Sequence, residues 1–203
     1  MDMQTPAKAV ASAAQTIERA DIDLGRRVAG TRDHPLSRTA ARAGKLGDQE
    51  PLYAMAAGLA AVGLLARRPR LAMSGLRMGL AVAAADLAKS ALKNRLTRTR
   101  PHVLLDEGVY RRSAGGADDK PAQSFPSGHM AGTSAAAAAL ARSFPRSAPV
   151  GAVLAGALGV SRVSKGAHWP LDVAAGALVG LAAEAATAGL LAALRRPLRR
   201  HVA

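Results

Sequence analysis

Gly159-Val160-Ser161-Arg162-Val163-Ser164-Lys165-Gly166-Ala167-His168-Trp169-Pro170-Leu171-Asp172 places a guanidinium, an imidazole and a carboxylate at the junction of two apolar runs. Proline costs nothing in the first turn of a helix, so a helix is expected to begin near Trp169-Pro170. His168 and Asp172 then stand one turn apart, close enough to meet. A carboxylate on one ring nitrogen fixes the tautomer and leaves the other nitrogen as a nucleophile or base. Arg162 adds a permanent cation whose planar fork suits a phosphate. By itself a His-x3-Asp pair equally describes a hydrogen bond on a helix surface, so its meaning depends on its neighbours.

Two other stretches set basic or imidazole groups beside Pro/Gly turn chemistry at the ends of apolar segments: Lys93 to Pro101, and Ser124-Phe125-Pro126-Ser127-Gly128-His129. The second reads as a turn feeding a helix N-terminus, whose free N–H groups and positive dipole end form an anion site, with Ser127 as its cap. In the first, Lys93 falls on the last turns of an apolar helix. Pro101 biases Arg100 towards extended backbone. Together the three stretches can gather Lys93, Arg100, Arg162, His129 and His168 around one phosphoryl group.

Lys-x6-Arg-Pro (Lys93 to Pro101), Pro-Ser-Gly-His (Pro126 to His129) and Ser-Arg-x5-His-x3-Asp (Ser161 to Asp172) resemble, without a mismatch, the three-part signature of the type 2 phosphatidic acid phosphatase superfamily, which also holds bacterial acid phosphatases and vanadium haloperoxidases. The resemblance covers about residues 50 to 195. It implies that Lys93, Arg100 and Arg162 hold the phosphate oxygens, helped by the Ser127 hydroxyl and the Gly128 N–H. It further implies that His168 attacks phosphorus, that Asp172 orients it, and that His129 protonates the leaving group. No cofactor is implied: three cations do what metal ions do in other phosphatases. A zinc site from His129, His168 and Asp172 is disfavoured by the Arg and Lys around it.

Composition bears on the kind of member. The 203 residues carry a net charge of +14, 20 Gly and no Cys, with only two Phe, two Tyr and one Trp. Without Cys there are no disulfides, thiolate zinc sites or Cys nucleophiles. With few aromatics and much Ala and Gly, cores have to form by close approach of helices, a habit of membrane bundles. The positive charge clusters at the ends of apolar segments rather than along one face, so no nucleic-acid partner is expected, and the bilayer is.

The expected fold is an all-α, integral-membrane bundle of about five to six spans, with a membrane-embedded domain over residues 51–203. Before it, residues 1–50 form an N-terminal amphipathic, interfacial segment. Val10, Ala13, Ala14, Ile17, Ala20 and Ile22 keep a helical period through Leu24. A turn at Arg32 to Pro35 and a short helix from Leu36 to Lys45 follow. Helices are then expected over Pro51 to Ala66, Leu71 to Leu92, Met130 to Ala141, Ala148 to Val160 and Leu171 to Leu194. The first, at sixteen residues, is short of the roughly twenty a bilayer asks for. Asp86 and Lys89 are read as an interior pair or a wall of the site. Residues 102–122 read as a polar loop, with His102 left outside the site. The Arg clusters at Arg67 to Arg70, Arg142 to Arg146 and from Arg195 alternate with the motif-bearing breaks, so motifs and clusters take opposite faces. The positive-inside tendency makes the cluster face cytoplasmic and the site extracytoplasmic, in a multi-pass protein of the cell membrane.

The leading functional reading is an integral-membrane phosphatase acting on a lipid phosphate. Family members use phosphatidylglycerol phosphate, phosphatidic acid, undecaprenyl pyrophosphate and polyprenyl-linked sugar phosphates. The Ala, Gly, Arg and Pro bias suits a GC-rich bacterium, in which small proteins resembling this one serve the cell wall, so the reading leans to a polyprenyl-linked sugar phosphate. A vanadate-dependent haloperoxidase and a non-catalytic membrane scaffold are the alternatives.

Overall fold

Proline punctuates the helices of this chain. The computed structural model describes residues 6–200, and in it Pro69, Pro101 and Pro170 each stand at the first position of a helix, where the missing N–H would have had no partner. In chain order the helices are α1 (Pro6–Ala29), α2 (Pro35–Ala43), α3 (Gln49–Leu65), α4 (Pro69–Lys93), α5 (Pro101–Glu107), α6 (Gly128–Ser143), α7 (Ala148–Ser164) and α8 (Pro170–Arg200). The five helices expected over residues 51–194 are thus present as α3, α4, α6, α7 and α8. Of these, Pro69–Lys93, the stretch Pro145–Ser164 that contains α7, and Pro170–Leu194 within α8 are long and apolar enough to cross a membrane. The shorter α3 and α6 run beside them, α3 on α4 and α6 against α4, α7 and α8.

The core forms by close approach, as the composition suggests. Ala81, Val82 and Ala85 of α4 meet Ala131, Ala135 and Ala139 of α6, closed by Leu52 and Ala56 of α3 and Ala183 of α8. A methyl group on Gly75 would run into the backbone of Ala56 and Ala60, and one on Gly180 into the Ala131 carbonyl. Small residues let these backbones touch. Large apolar side chains point outward instead, among them Leu65, Leu87, Val153 and Leu178. At the end away from the motifs, Arg70 donates to the Ser143 carbonyl from Nε (2.9 Å) and Nη2 (2.5 Å), and its guanidinium lies 5.2 Å from the Phe144 ring centre. Arg142 forks onto Glu184 with two bonds of 2.7 Å. The first two Arg clusters therefore share one end of the bundle, as their alternation with the motifs requires.

One expectation needs correcting. Residues 102–122 are not all loop: α5 occupies their start, and Leu96–Arg98 (β1) pairs antiparallel with Arg112–Ala114 (β2), matching Leu96 with Ala114 and Arg98 with Arg112. This three-residue ribbon is the one departure from an all-α bundle among the described residues. The side of α1 that docks on the bundle is separate from its apolar stripe. Asp21, Gly25 and Ala29, spaced by four, are the buried positions, while Val10, Ile17 and Leu24 are exposed. Gly25 decides this, because a Cβ there would enter the Trp169 ring, so the helix seats where its side chains are smallest.

Candidate functional site

The loop between α7 and α8 carries His168. Gly166, at φ 71°, takes the left-handed turn that ends α7. Two residues on, the buried imidazole points its Nδ1 at the backbone carbonyl of Ser124, 2.7 Å away. A carbonyl only accepts, so Nδ1 carries the hydrogen and Nε2 keeps its lone pair. Burial, then the positive charges of Arg100 and Lys93, hold the His168 pKa well below the ordinary imidazole range, against the Ser124 bond. That direction favours the neutral ring, whose Nε2 lone pair can serve as a nucleophile or base.

Asp172 is therefore not the direct partner expected of His168. As the third residue of α8 its carboxylate turns back to the N–H of Trp169 (2.9 Å), the reach of the acidic residue in a capping box. It also accepts from the Ser124 hydroxyl (2.5 Å) and from Nη1 of Arg98 (2.6 Å). Asp172 thus fixes Ser124, and Ser124 fixes the imidazole. A second carboxylate completes the helix start, since Asp21 of α1 takes the Leu171 N–H at 2.8 Å and Nη2 of Arg98 at 2.5 Å. Arg98 sits buried between the two acids, 5.5 Å from the Trp169 ring centre. Burial works against its charge, but Asp172 and the bonds to Tyr110 and Asp21 raise its pKa overall.

The remaining signature residues converge from three directions. Lys93 closes α4 and gives Nζ to the Gln123 carbonyl at 3.2 Å. Arg100, extended before Pro101 at φ −74° and ψ 152°, has a buried Nε without a partner among the described residues. Ser127 stands at the cap of α6 but makes no capping bond, contrary to expectation; its N–H goes to the Asp172 carbonyl (2.9 Å) and its buried Oγ is unpartnered. Arg162, buried near the end of α7, has Nε and Nη2 unpartnered and Nη1 3.2 Å from Nε2 of His129. That same Nε2 is 2.5 Å from Asp48.

Lys93, Arg100, Gly128, His129, Arg162 and His168 line one cavity of about 720 Å³, whereas the buried Ser127 and Asp172 do not line it. Asp86 and Lys89, 2.6 Å apart, also line it, as read from their spacing. So does His102, although it lies outside the signature; its Nδ1 is 3.0 Å from the Gly166 carbonyl. Reasoning from sequence missed Asp21, Arg98, Asp48 and the role of Ser124. Among the described residues no group of three or more His, Cys, Asp or Glu is gathered to hold a metal ion. What the cavity gathers is cationic and donor-rich: unspent N–H and O–H groups beside one imidazole lone pair suit a tetrahedral oxyanion.

Fold and cavity together describe a helix bundle of membrane type in which two histidines, two arginines and a lysine line one pocket. The chain belongs to the PAP2 superfamily, whose profile matches residues 74–196. Over 94 residues it is 38% identical to a lipid A 1-phosphatase of Rhizobium johnstonii and 37% identical to one of Rhizobium etli. Those matches span 46% of this chain and only 38% and 40% of the two relatives. Among solved structures, LpxE of Aquifex aeolicus has a similar fold, with a TM-score of 0.60 and 22% identity over 82% of this chain and 93% of that one. A transmembrane PAP2-type phosphatidylglycerolphosphate phosphatase from Bacillus subtilis has a TM-score of 0.64 and 24% identity, covering 86% of each chain.

Proposed function

We propose that this protein is an integral-membrane lipid phosphate phosphatase that works through a phosphohistidine. The observation that carries the reading is the set of unspent buried donors on Arg100 and Arg162, which line the cavity into which His168 opens, with the unpartnered Ser127 hydroxyl next to its Gly128 wall. Family membership and the names of the relatives support it.

In this reading Lys93, Arg100 and Arg162 hold the phosphoryl oxygens, with the Gly128 N–H and Ser127 hydroxyl at the N-terminus of α6. Nε2 of His168 forms the bond to phosphorus as the bond to the leaving oxygen breaks, and His129 gives that oxygen its proton. Charge that grows on the equatorial oxygens meets donors already in place, usually the largest single contribution to such a rate. Water, losing a proton to the now neutral His129, then cleaves the phosphohistidine and releases inorganic phosphate. Asp172 acts at one remove, through Ser124. The site opens to the extracytoplasmic side. The segment 1–50 lies in the interface, with Val10, Ile17 and Leu24 of α1 towards lipid, before a membrane-embedded domain over 51–203; of these two segments, residues 1–5 and 201–203 lie outside the described residues.

For the substrate, the composition leans to a polyprenyl-linked sugar phosphate, and the Rhizobium relatives point to a phosphate on a lipid-borne sugar as well. A phosphate-release screen of the purified protein decides. Its arms are a polyprenyl-linked sugar phosphate, lipid A, undecaprenyl pyrophosphate, phosphatidylglycerol phosphate and phosphatidic acid, each repeated with His168→Ala. Release from at least one lipid, abolished in the variant, is expected. No release from any, with halide oxidation appearing on added vanadate, would replace this reading by the haloperoxidase one. No activity of either kind would leave the scaffold.

A further inference from the structure

Nε2 of His129 has two neighbours that make opposite demands on it. Asp48 Oδ1 is 2.5 Å away and Arg162 Nη1 is 3.2 Å away. A carboxylate only accepts, so the contact with Asp48 needs a proton on Nε2. A guanidinium only donates, so a bond from Arg162 needs the lone pair there. One nitrogen satisfies one of them at a time, and the carboxylate is the nearer.

Asp48 belongs to none of the three motifs. It follows the 3-10 turn Gly44–Gly47 and precedes α3, and that turn packs against α6 and α7. A Cβ on Gly44 would strike Nη2 of Arg162, and one on Gly47 would strike Leu158 and Thr133. Asp48 is moreover the N-cap residue of α3 and makes no side-chain capping bond, the use to which aspartate is usually put there. Its carboxylate reaches His129 instead.

We propose that Asp48 is the positioning residue of the proton donor: it keeps the transferable hydrogen on Nε2 of His129 until the leaving oxygen takes it. The assignment rests on the phosphatase reading above. As the bond from phosphorus to the leaving oxygen breaks, the Nε2–H bond breaks with it and the proton goes to that oxygen. The bare Nε2 then accepts from Arg162 Nη1. When water attacks the phosphohistidine its proton returns to Nε2, and the contact with Asp48 re-forms. The groups facing His129 are Arg162 from α7, Arg100 from the segment before α5, His168 from the loop before α8, and Asp48; Lys89 of α4 lies against the adjoining Gly128. Burial first, then the charge of Arg162, favours loss of the proton and holds the His129 pKa below its ordinary value, and Asp48 opposes them.

The test uses the full-length protein, as Asp48→Asn and Asp48→Glu, with kcat/KM followed against pH on a long-chain alkyl phosphate and on p-nitrophenyl phosphate. Removing a carboxylate from contact distance should move the base limb of the alkyl phosphate profile down by about one pH unit or more. At neutral pH the alkyl phosphate should lose about tenfold or more, because its leaving group needs the proton, while p-nitrophenyl phosphate changes by less than about threefold. Asp48→Glu, which keeps the charge, should restore the limb. An unmoved limb, equal losses on both substrates, or a Glu variant with the Asn profile would overturn the assignment while leaving the phosphatase reading intact. A wild-type protein inert on both substrates and on the lipids above would overturn that reading and this one with it.

Discussion

Replacing Asp172 by Asn separates two ways in which a carboxylate can serve an imidazole. Were Asp172 bonded directly to His168, Asn would present an N–H to the ring and favour the wrong tautomer, a change that costs about 10⁴-fold in a serine protease triad. Here the Ser124 carbonyl, at 2.7 Å, holds the hydrogen on Nδ1, and that carbonyl belongs to the backbone, which the substitution leaves in place. Asp172 accepts three bonds, from Arg98 (2.6 Å), the Ser124 hydroxyl (2.5 Å) and the Trp169 N–H (2.9 Å), and Asp172→Asn must give up at least one of them. The amide oxygen can keep the last two, which turns the amide nitrogen towards Arg98. Breaking a buried ion pair costs about 3–5 kcal/mol, and the lower end applies because Asp21 still balances Arg98. For a chain of this size about 3 kcal/mol lowers the melting temperature by roughly 6–12 °C. Activity, measured well below that melting point, should fall only about 10- to 100-fold, or about 1.4–2.7 kcal/mol in the barrier. The assay pairs thermal unfolding in detergent with phosphate release from p-nitrophenyl phosphate. A loss near 10⁴-fold with an unmoved melting temperature would refute the indirect arrangement and restore the direct contact.

His168→Ala should be dead on every substrate, whereas His129→Ala should lose about 10²- to 10⁴-fold on a lipid monoester and keep a measurable fraction on p-nitrophenyl phosphate, whose leaving group departs unprotonated; the reverse pattern exchanges their roles. Because burial holds the His168 pKa below its unfolded value of 6.5, the unfolded chain binds the extra proton first, so stability is lost as pH falls through and below 6.5; melting curves should show this slope, and His168→Gln should flatten it. The acid limb of kcat/KM should for the same reason lie below pH 6.5, and a limb above about 7 would contradict a neutral, buried imidazole. Activity should survive EDTA and be inhibited by vanadate, whose trigonal bipyramidal adduct resembles the transition state; loss in EDTA that Mg²⁺ or Zn²⁺ reverses would contradict the cation-only site. As the chain lacks cysteine, a single Cys at Ser113 should label with a membrane-impermeant reagent in intact cells and one at Arg68 should not, and the opposite result would invert the proposed orientation.

The helices and the convergence of the motifs were legible because both are written locally. Proline at a first turn, apolar runs between Arg clusters and three short signatures specify where α4, α6, α7 and α8 begin or end, and each motif falls at one of those ends. What was not legible depends on long-range company. Arg98 looks like one more cation of a basic run until residues 77 and 74 positions away, Asp21 and Asp172, close on it from two sides. For Asp172 itself, spacing brings it one turn from His168 but does not say which way its carboxylate turns. The free N–H of Trp169 and the Ser124 hydroxyl claim it. The docking face of α1 is hidden for another reason. Hydrophobic periodicity finds the greasiest stripe, whereas this helix seats by its thinnest one, against a tryptophan that leaves no room for a side chain at Gly25.

Gly176, the seventh residue of α8, lies where a methyl group would strike the carbonyl oxygen of Ser127. The gap between the turn before α6 and the helix that follows His168 is therefore gauged by an atom that is not there. A spacer made of side chains can flex or repack to hide an error of an ångström. Two backbones in contact have no such slack, and misplacement by that distance is enough to cost a well-oriented reaction about a hundredfold. Gly176→Ala would lengthen the gauge by one methyl and leave every group that touches substrate in its original chemical form, so whatever rate it lost would measure alignment alone.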